Sequence, residues 1–133
     1  MKSSTNGENL ITTKGSIHAI APVKIPVPGN KIIEEYIGLQ NSGTSQFSVA
    51  RMVAPPGWEE PMQTPEFDEV TIVIKGSMQA EVDGRAVKIE PNQPFVARKG
   101  STVRYSNPFD QPAEYWAICV PAFSPDTVNR ADS

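Results

Sequence analysis

An all-β sandwich or barrel is the fold class this sequence predicts, and three observations carry it. Short apolar segments recur at regular spacing, turn residues separate them, and no stretch holds a helical period beyond a turn or two. At 133 residues the chain has the length of one domain with a single core. Thirteen prolines and nine glycines accompany an apolar content of 38% and a charged content of 20%, the balance of a turn-rich protein rather than a helical bundle.

Residues 1–9 are polar and aperiodic and predict a flexible tail ahead of one domain spanning 10–133. Within that domain, 10–45 read as an N-terminal arm with edge strands and 46–123 as the barrel proper. NLITT and AIAPVKIPV are edge-strand candidates, because proline removes a ladder donor and is tolerated only there. Lys31–Leu39 fits either a strand or a short helical turn; the flanking Gly29-Asn30 and Asn41-Ser42-Gly43 favour a strand. Phe47–Ala54 alternates around Val49, Arg51 and Val53 until Pro55-Pro56-Gly57 stops it. Val70–Lys75 is a β-branched run ended by Gly76, and Met78–Val82 alternates at period two. Asp83-Gly84 is a preferred pair for a type I′ turn, so Arg85–Glu90 returns as the hairpin partner. Pro94–Ala97, Thr102–Tyr105 and Glu114–Val120 complete the strands.

Composition excludes several function classes. A net charge of −3, a pI near 5.1 and scattered Lys and Arg argue against nucleic-acid binding. Cys119 is the one cysteine, which rules out an intramolecular disulfide and a thiolate zinc cluster; in WAICV it reads as a small buried hydrophobe. The N-terminus has no signal-like apolar region and no segment has the length of a membrane span. The expectation is a soluble cytoplasmic protein whose partner is a small molecule, with neither nucleic acid nor membrane.

Gly57–Gly76 carries the most specific spacing in the chain. Gly57 is followed by five residues, then Gln63-Thr64-Pro65, three residues, Glu69, six residues and Gly76. A second frame places Asn92, Arg98, Gly100, Val103 and Asn107 at set intervals. These frames resemble the two motifs of the cupin superfamily, and the resemblance covers roughly residues 46–123. It implies a cupin jelly-roll, or double-stranded β-helix, in which the positions that hold metal ligands are here Gln63, Pro65, Glu69 and Val103. Proline and valine have no donor atom, and two oxygens are too few for a tight transition-metal site. Neither a metal nor another cofactor is therefore expected. The only histidine, His18, lies far from the motif in sequence. The acidic pair Asp68-Glu69 ahead of the β-branched run is similar to the pattern of the metal-free ethanolamine-utilisation cupins. The family resemblance also implies a homodimer formed through N-terminal strands.

Glu69 is the candidate catalytic residue. The frame points its side chain into the barrel, where desolvation favours the neutral acid and suits it to proton transfer; a structural carboxylate is the alternative reading. Gln63 is a candidate to orient a ligand through its amide. Arg51, read with Val49 and Val53 on the inner face, is a guanidinium for a carboxylate or phosphate; the opposite reading leaves it solvated. Tyr105 and Trp116 are candidate ligand contacts or core aromatics. Glu59-Glu60, Glu66 and Asp68 read as a solvated acidic rim, with a hard-cation cluster lacking EF-hand spacing as the alternative, and Trp58 as a lid or dimer contact. Three functions stay open: a metal-independent isomerase, cyclase or lyase; a non-catalytic ligand-binding or sensor cupin; and a metal enzyme with an atypical ligand set.

Overall fold

The computed structural model of the chain describes residues 8–131. It contains eleven strands: β1 Leu10–Thr13, β2 Ser16–Ala19, β3 Val23–Lys24, β4 Ile32–Ile37, β5 Ser48–Ala54, β6 Asp68–Lys75, β7 Met78–Val82, β8 Arg85–Ile89, β9 Phe95–Ala97, β10 Val103–Ser106 and β11 Ala113–Val120. No helix is present among the described residues. Six strands form one sheet in the order β3-β4-β5-β11-β6-β9, and three form a second in the order β10-β7-β8. Strands β1 and β2 make a separate hairpin.

The turn chemistry explains the connections. Asp83 and Gly84 have φ of 49° and 84°, the double positive φ of a type I′ hairpin, and Val82 pairs with Arg85 across it. Asn92 turns at φ 67°, a left-handed conformation that asparagine enters at little cost. Asn107 is fully buried: its side-chain amide donates to the carbonyls of Ala54 (3.1 Å) and Gln111 (2.8 Å), and its oxygen accepts from the Phe109 amide. It thereby ties the end of β5 to the turn before β11.

Gly76 combines a φ of 74° with a β-carbon position that would strike the Pro112 carbonyl oxygen. Gly57 has φ 83° and open space around the same position. Gly57→Ala is therefore expected to cost about 1–2 kcal/mol from backbone strain alone. Gly76→Ala adds overpacking against backbone, for about 2–5 kcal/mol in total. Urea melts of the two variants test this; equal losses would show that the Pro112 contact relaxes freely.

The core lies between the two sheets, where Ala54, Val73, Met78, Ile89, Val103 and Tyr115 pack with their neighbours. A smaller cluster of Phe67, Cys119, Val128 and Phe123 closes the other end. Between the two clusters the inward positions of the large sheet are small. β5 turns Ser48 and Ala50 inward, β11 turns Ala117 and Cys119, and their pairing sets Ala50 beside Ala117 and Ser48 beside Cys119. Space is left there for a cavity.

The N-terminal region differs from expectation in detail. Residues 1–7 of the expected tail lie outside the described residues, whereas Asn9 belongs to the fold: its carbonyl accepts from Ile20 and its amide donates to Asn41 Oδ1 at 3.1 Å. Ser16–Ala19, not foreseen as a strand, pairs with β1. The expected strand at 19–27 contracts to Val23–Lys24, which pairs with β4. His18 sits exposed on the β1–β2 hairpin, away from the cavity. Among the described residues no helix is long and apolar enough to cross a membrane.

Candidate functional site

A cavity of about 290 Å³ occupies the space between the core clusters. Its walls are largely apolar, with Ile33, Ala50, Met52, Phe67 and Ala117 among them. Exposed Pro26, Leu39, Pro125 and Arg130 also border it and mark its mouth. Its polar lining is concentrated in Lys31, Glu60, Gln63, Glu69, Tyr105 and a few neighbours.

Backbone pairing fixes these residues. Glu69 stands on β6 opposite Cys119 of β11 and Ala97 of β9, with Thr71 one rung further in, opposite Ala117. Residues 57–66 form a strip between β10 and the C-terminal segment. On one side Gln63 exchanges backbone hydrogen bonds with Val103 at 2.9 and 2.8 Å, and the Glu60 amide donates to the Tyr105 carbonyl. On the other, Thr64 donates to the Asn129 carbonyl and Ala131 to that of Met62. The strip places Glu60 and Gln63 on the cavity wall opposite β6 and brings Arg130 to the mouth.

Glu69 is half-buried and borders the cavity, so its side chain is partly accessible. Burial pushes its pKa up to about 7; Glu60 adds to the rise, while Lys31, Tyr105 and Arg130 oppose it. Burial likewise raises the Glu60 carboxyl, against Lys31 and Arg130. Lys31 is 8% exposed and its pKa falls to about 8, chiefly through burial, with Glu60 and Glu69 opposing. The Lys31 ammonium lies 3.4 Å from the Trp58 ring centroid and 5.5 Å from that of Tyr115. Such a contact is worth about 2 kcal/mol when desolvated. Burial and the neighbouring Glu69 raise the Tyr105 phenol well above its usual range, keeping it a proton donor.

Among the described residues, four buried side-chain oxygens lack a well-formed hydrogen bond: Glu60 Oε2, Gln63 Oε1, Thr71 Oγ1 and the Tyr105 hydroxyl. The Tyr105 hydroxyl is near enough to Glu69 and Thr71 for each to influence the other's proton, without the geometry of a closed bond. Three of the four belong to residues on the cavity wall. Orphaned polar atoms are rare in folded interiors, and their concentration here suits a polar group entering the cavity.

The structure brings Glu69, Gln63 and Tyr105 of the expected site together on the cavity. Arg51 and Trp116 require correction, since both point to the opposite face of the large sheet. Arg51 bonds Glu34 and Glu114, each at 2.8 Å, and Trp116 packs on Tyr36 with ring centroids 5.4 Å apart. The physical reason is parity. Val49, Val53, Trp116 and Ile118 share the outer face with Arg51, while the inward positions Ser48, Ala50, Ala117 and Cys119 are small and leave the cavity open. Tyr115 is the inward aromatic. Glu60 leaves the expected acidic rim for the interior, and Trp58 lies beneath Lys31 rather than serving as a free lid. Lys31, Arg130 and Cys119 join the lining unforeseen as site residues; a lysine opening an apolar run after Gly29-Asn30 was the available signal for the first.

The metal positions of the motif do not fit a metal. Pro65 and Val103 offer no donor atom, and among the described residues no three His, Cys, Asp or Glu converge on one point.

Two facing antiparallel sheets around an interior cavity define a small double-stranded β-helix barrel. The chain has the cupin fold, as its solved neighbours show. The polyketide cyclase RemF from Streptomyces resistomycificus superposes with a TM-score of 0.70 at 16% identity, over 91% of this chain and 88% of that one. A Cupin_2 domain of an XRE family transcriptional regulator from Enterobacter cloacae gives 0.60 at 18% identity, over 69% and 97%. EutQ from Clostridium difficile gives 0.54 at 22% identity, over 70% and 65%. Among curated proteins, endoribonuclease YbeY of Myxococcus xanthus is 44% identical over 102 residues, 77% of this chain. The chain spans 35% of that protein's length. No protein-family model matches the chain.

Proposed function

We propose that this protein is a metal-independent enzyme that moves a proton on a small molecule with an apolar body and one polar end, in the manner of an isomerase, cyclase or lyase. The single observation that carries the reading is Glu69, a carboxyl deep in the barrel with a pKa near 7, facing a largely apolar cavity beside Lys31 and Tyr105. A carboxyl that is half protonated near neutrality both gives and takes a proton at the pH of the cell. The cyclase name of the RemF neighbour is consistent with such chemistry and supports it only as a precedent for the fold. Endoribonuclease activity is not carried over from the Myxococcus xanthus relative. This chain corresponds to about a third of that protein, and its 15 acidic residues outnumber 12 basic ones.

Chemically, Glu69 removes a hydrogen from carbon next to a carbonyl, while the Tyr105 hydroxyl faces the oxygen where charge develops. The apolar walls exclude water and fix the ligand's body. The test begins with thermal-shift screening of small hydroxy- and keto-compounds. Each ligand found is incubated with the protein in deuterated buffer, and NMR follows loss of carbon-bound hydrogen. At least one ligand is expected to exchange at the position beside its carbonyl, fastest near pH 7. Saturable ligands with no exchange and no turnover would make this a binding module instead.

A further inference from the structure

Lys31 is the one lysine among the described residues that lines the cavity; Lys14, Lys24, Lys75, Lys88 and Lys99 are exposed. No carboxylate of the described residues lies within ion-pair distance of its ammonium and none of their oxygens accepts a hydrogen bond from it. The ammonium lies instead against the ring faces of Trp58 and Tyr115. A lysine meant only to balance charge would close on Glu60 or Glu69, both of which border the same cavity. Instead the nitrogen lies over the Trp58 ring and near that of Tyr115, beyond ion-pair distance of either carboxylate, on a residue that lines the cavity.

From this arrangement we propose that Lys31 is a covalent catalytic residue that condenses with an aldehyde or ketone to form an imine inside the barrel. The uncharged Nζ attacks the carbonyl carbon; a C–N bond forms and the C=O π pair moves onto oxygen. Nitrogen gives up one proton as oxygen takes one, leaving a neutral carbinolamine. A second proton, supplied by the neutral carboxyl of Glu69 or Glu60, turns the hydroxyl into water. Water leaves as the nitrogen lone pair forms C=N, giving a protonated imine and a carboxylate. The sum is amine, carbonyl and one proton in; iminium and one water out.

The surroundings suit each species. The rings that hold the ammonium hold the iminium equally, because the positive charge stays on the same nitrogen. The iminium draws electrons from the neighbouring carbon and makes its hydrogen easier to remove, which gives the carboxylate left behind its next proton. Burial favours the uncharged amine, with Glu60 and Glu69 opposing and Arg130 reinforcing that preference. This proposal rests on the reading that the cavity takes a carbonyl compound, and it adds the residue that bonds to it.

The test is reductive trapping at pH 7 with benzaldehyde and sodium cyanoborohydride, read by peptide mapping in a mass spectrometer. The exposed lysines serve as internal controls. With its pKa near 8 against 10.5 for an ordinary lysine, Lys31 is expected to be labelled about tenfold or more faster than any of them. In Lys31→Arg, which keeps a cation over Trp58, that fast label is expected to vanish while the exposed lysines label as before. Labelling of Lys31 no faster than the exposed lysines overturns the proposal. So does full solvent-exchange activity in Lys31→Arg, which would reduce the residue to a charge. Exchange in the wild type without trapping would sink the imine and leave the proton-transfer reading standing. Trapping without exchange would do the reverse.

Discussion

Replacing Glu69 by Gln is expected to slow ligand-hydrogen exchange by about a hundred- to ten-thousand-fold, the range that positioned acid–base groups contribute. The substitution keeps the size and hydrogen-bonding capacity of the side chain and removes only its ability to titrate. Ligand affinity should therefore stay within a few-fold of wild type, so that kcat falls and the dissociation constant does not. A carboxylate that merely filled space would lose neither. One that merely held the ligand would lose affinity first. The split between the two constants, measured by NMR exchange and by calorimetry on the same ligand, is what distinguishes catalysis from binding. Unchanged exchange in Glu69→Gln would remove the residue from the mechanism.

Much of the fold was legible because turn chemistry is local. Asp83-Gly84 and Asn92 each occupy the left-handed backbone that their residue types favour, and the strands between them follow from alternation. The motif frame gave more than fold. It placed Glu69 and Gln63 on the cavity wall, because the spacing from Gly57 to Gly76 encodes a strip, a turn and a strand whose relative geometry is fixed. Facing was harder to read than pairing. In β5 and β11 both faces carry apolar residues, and the rule that the bulkier face points inward fails in a barrel that must stay hollow. Arg51 and Trp116 fell on the wrong side for that reason.

What the sequence concealed was the polar company of Glu69. Lys31 and Glu60 are separated from it by 38 and 9 positions and belong to an arm and a strip whose side chains follow no strand period. Only closure of the barrel brings them to one cavity, and only then do their protonation equilibria become linked. In a metal-binding barrel of this fold the same interior would hold a cation amid its ligands. Here Lys31 reaches in from the N-terminal arm and lines the same cavity as the two carboxyls.

That exchange has a consequence for stability. Glu69 titrates near 4.5 when unfolded and near 7 in the folded protein, so between those values the native state holds the extra proton. Stability should fall as pH rises from about 4.5 to about 7 and level off above, with Glu60 contributing in the same direction. Lys31 acts at the other end. Its pKa drops from 10.5 to about 8 on folding, so the unfolded chain binds more protons between those values and stability should rise again with pH. A minimum near pH 7–8 follows from the two shifts together. The Glu69 limb is worth roughly 3 kcal/mol, or roughly 10 °C in Tm for a domain of this size. Glu69→Gln should match wild type near pH 4.5 and exceed it by up to that amount at pH 7.5. Comparing the two proteins at each pH cancels the titrating groups that do not interact with Glu69, including Glu90, whose carboxyl the Ser77 hydroxyl holds below its ordinary range. Parallel Tm profiles for the two proteins across this window would mean that the Glu69 carboxyl is not desolvated in the folded state. The proton-transfer reading would then lose its physical basis along with the stability gain.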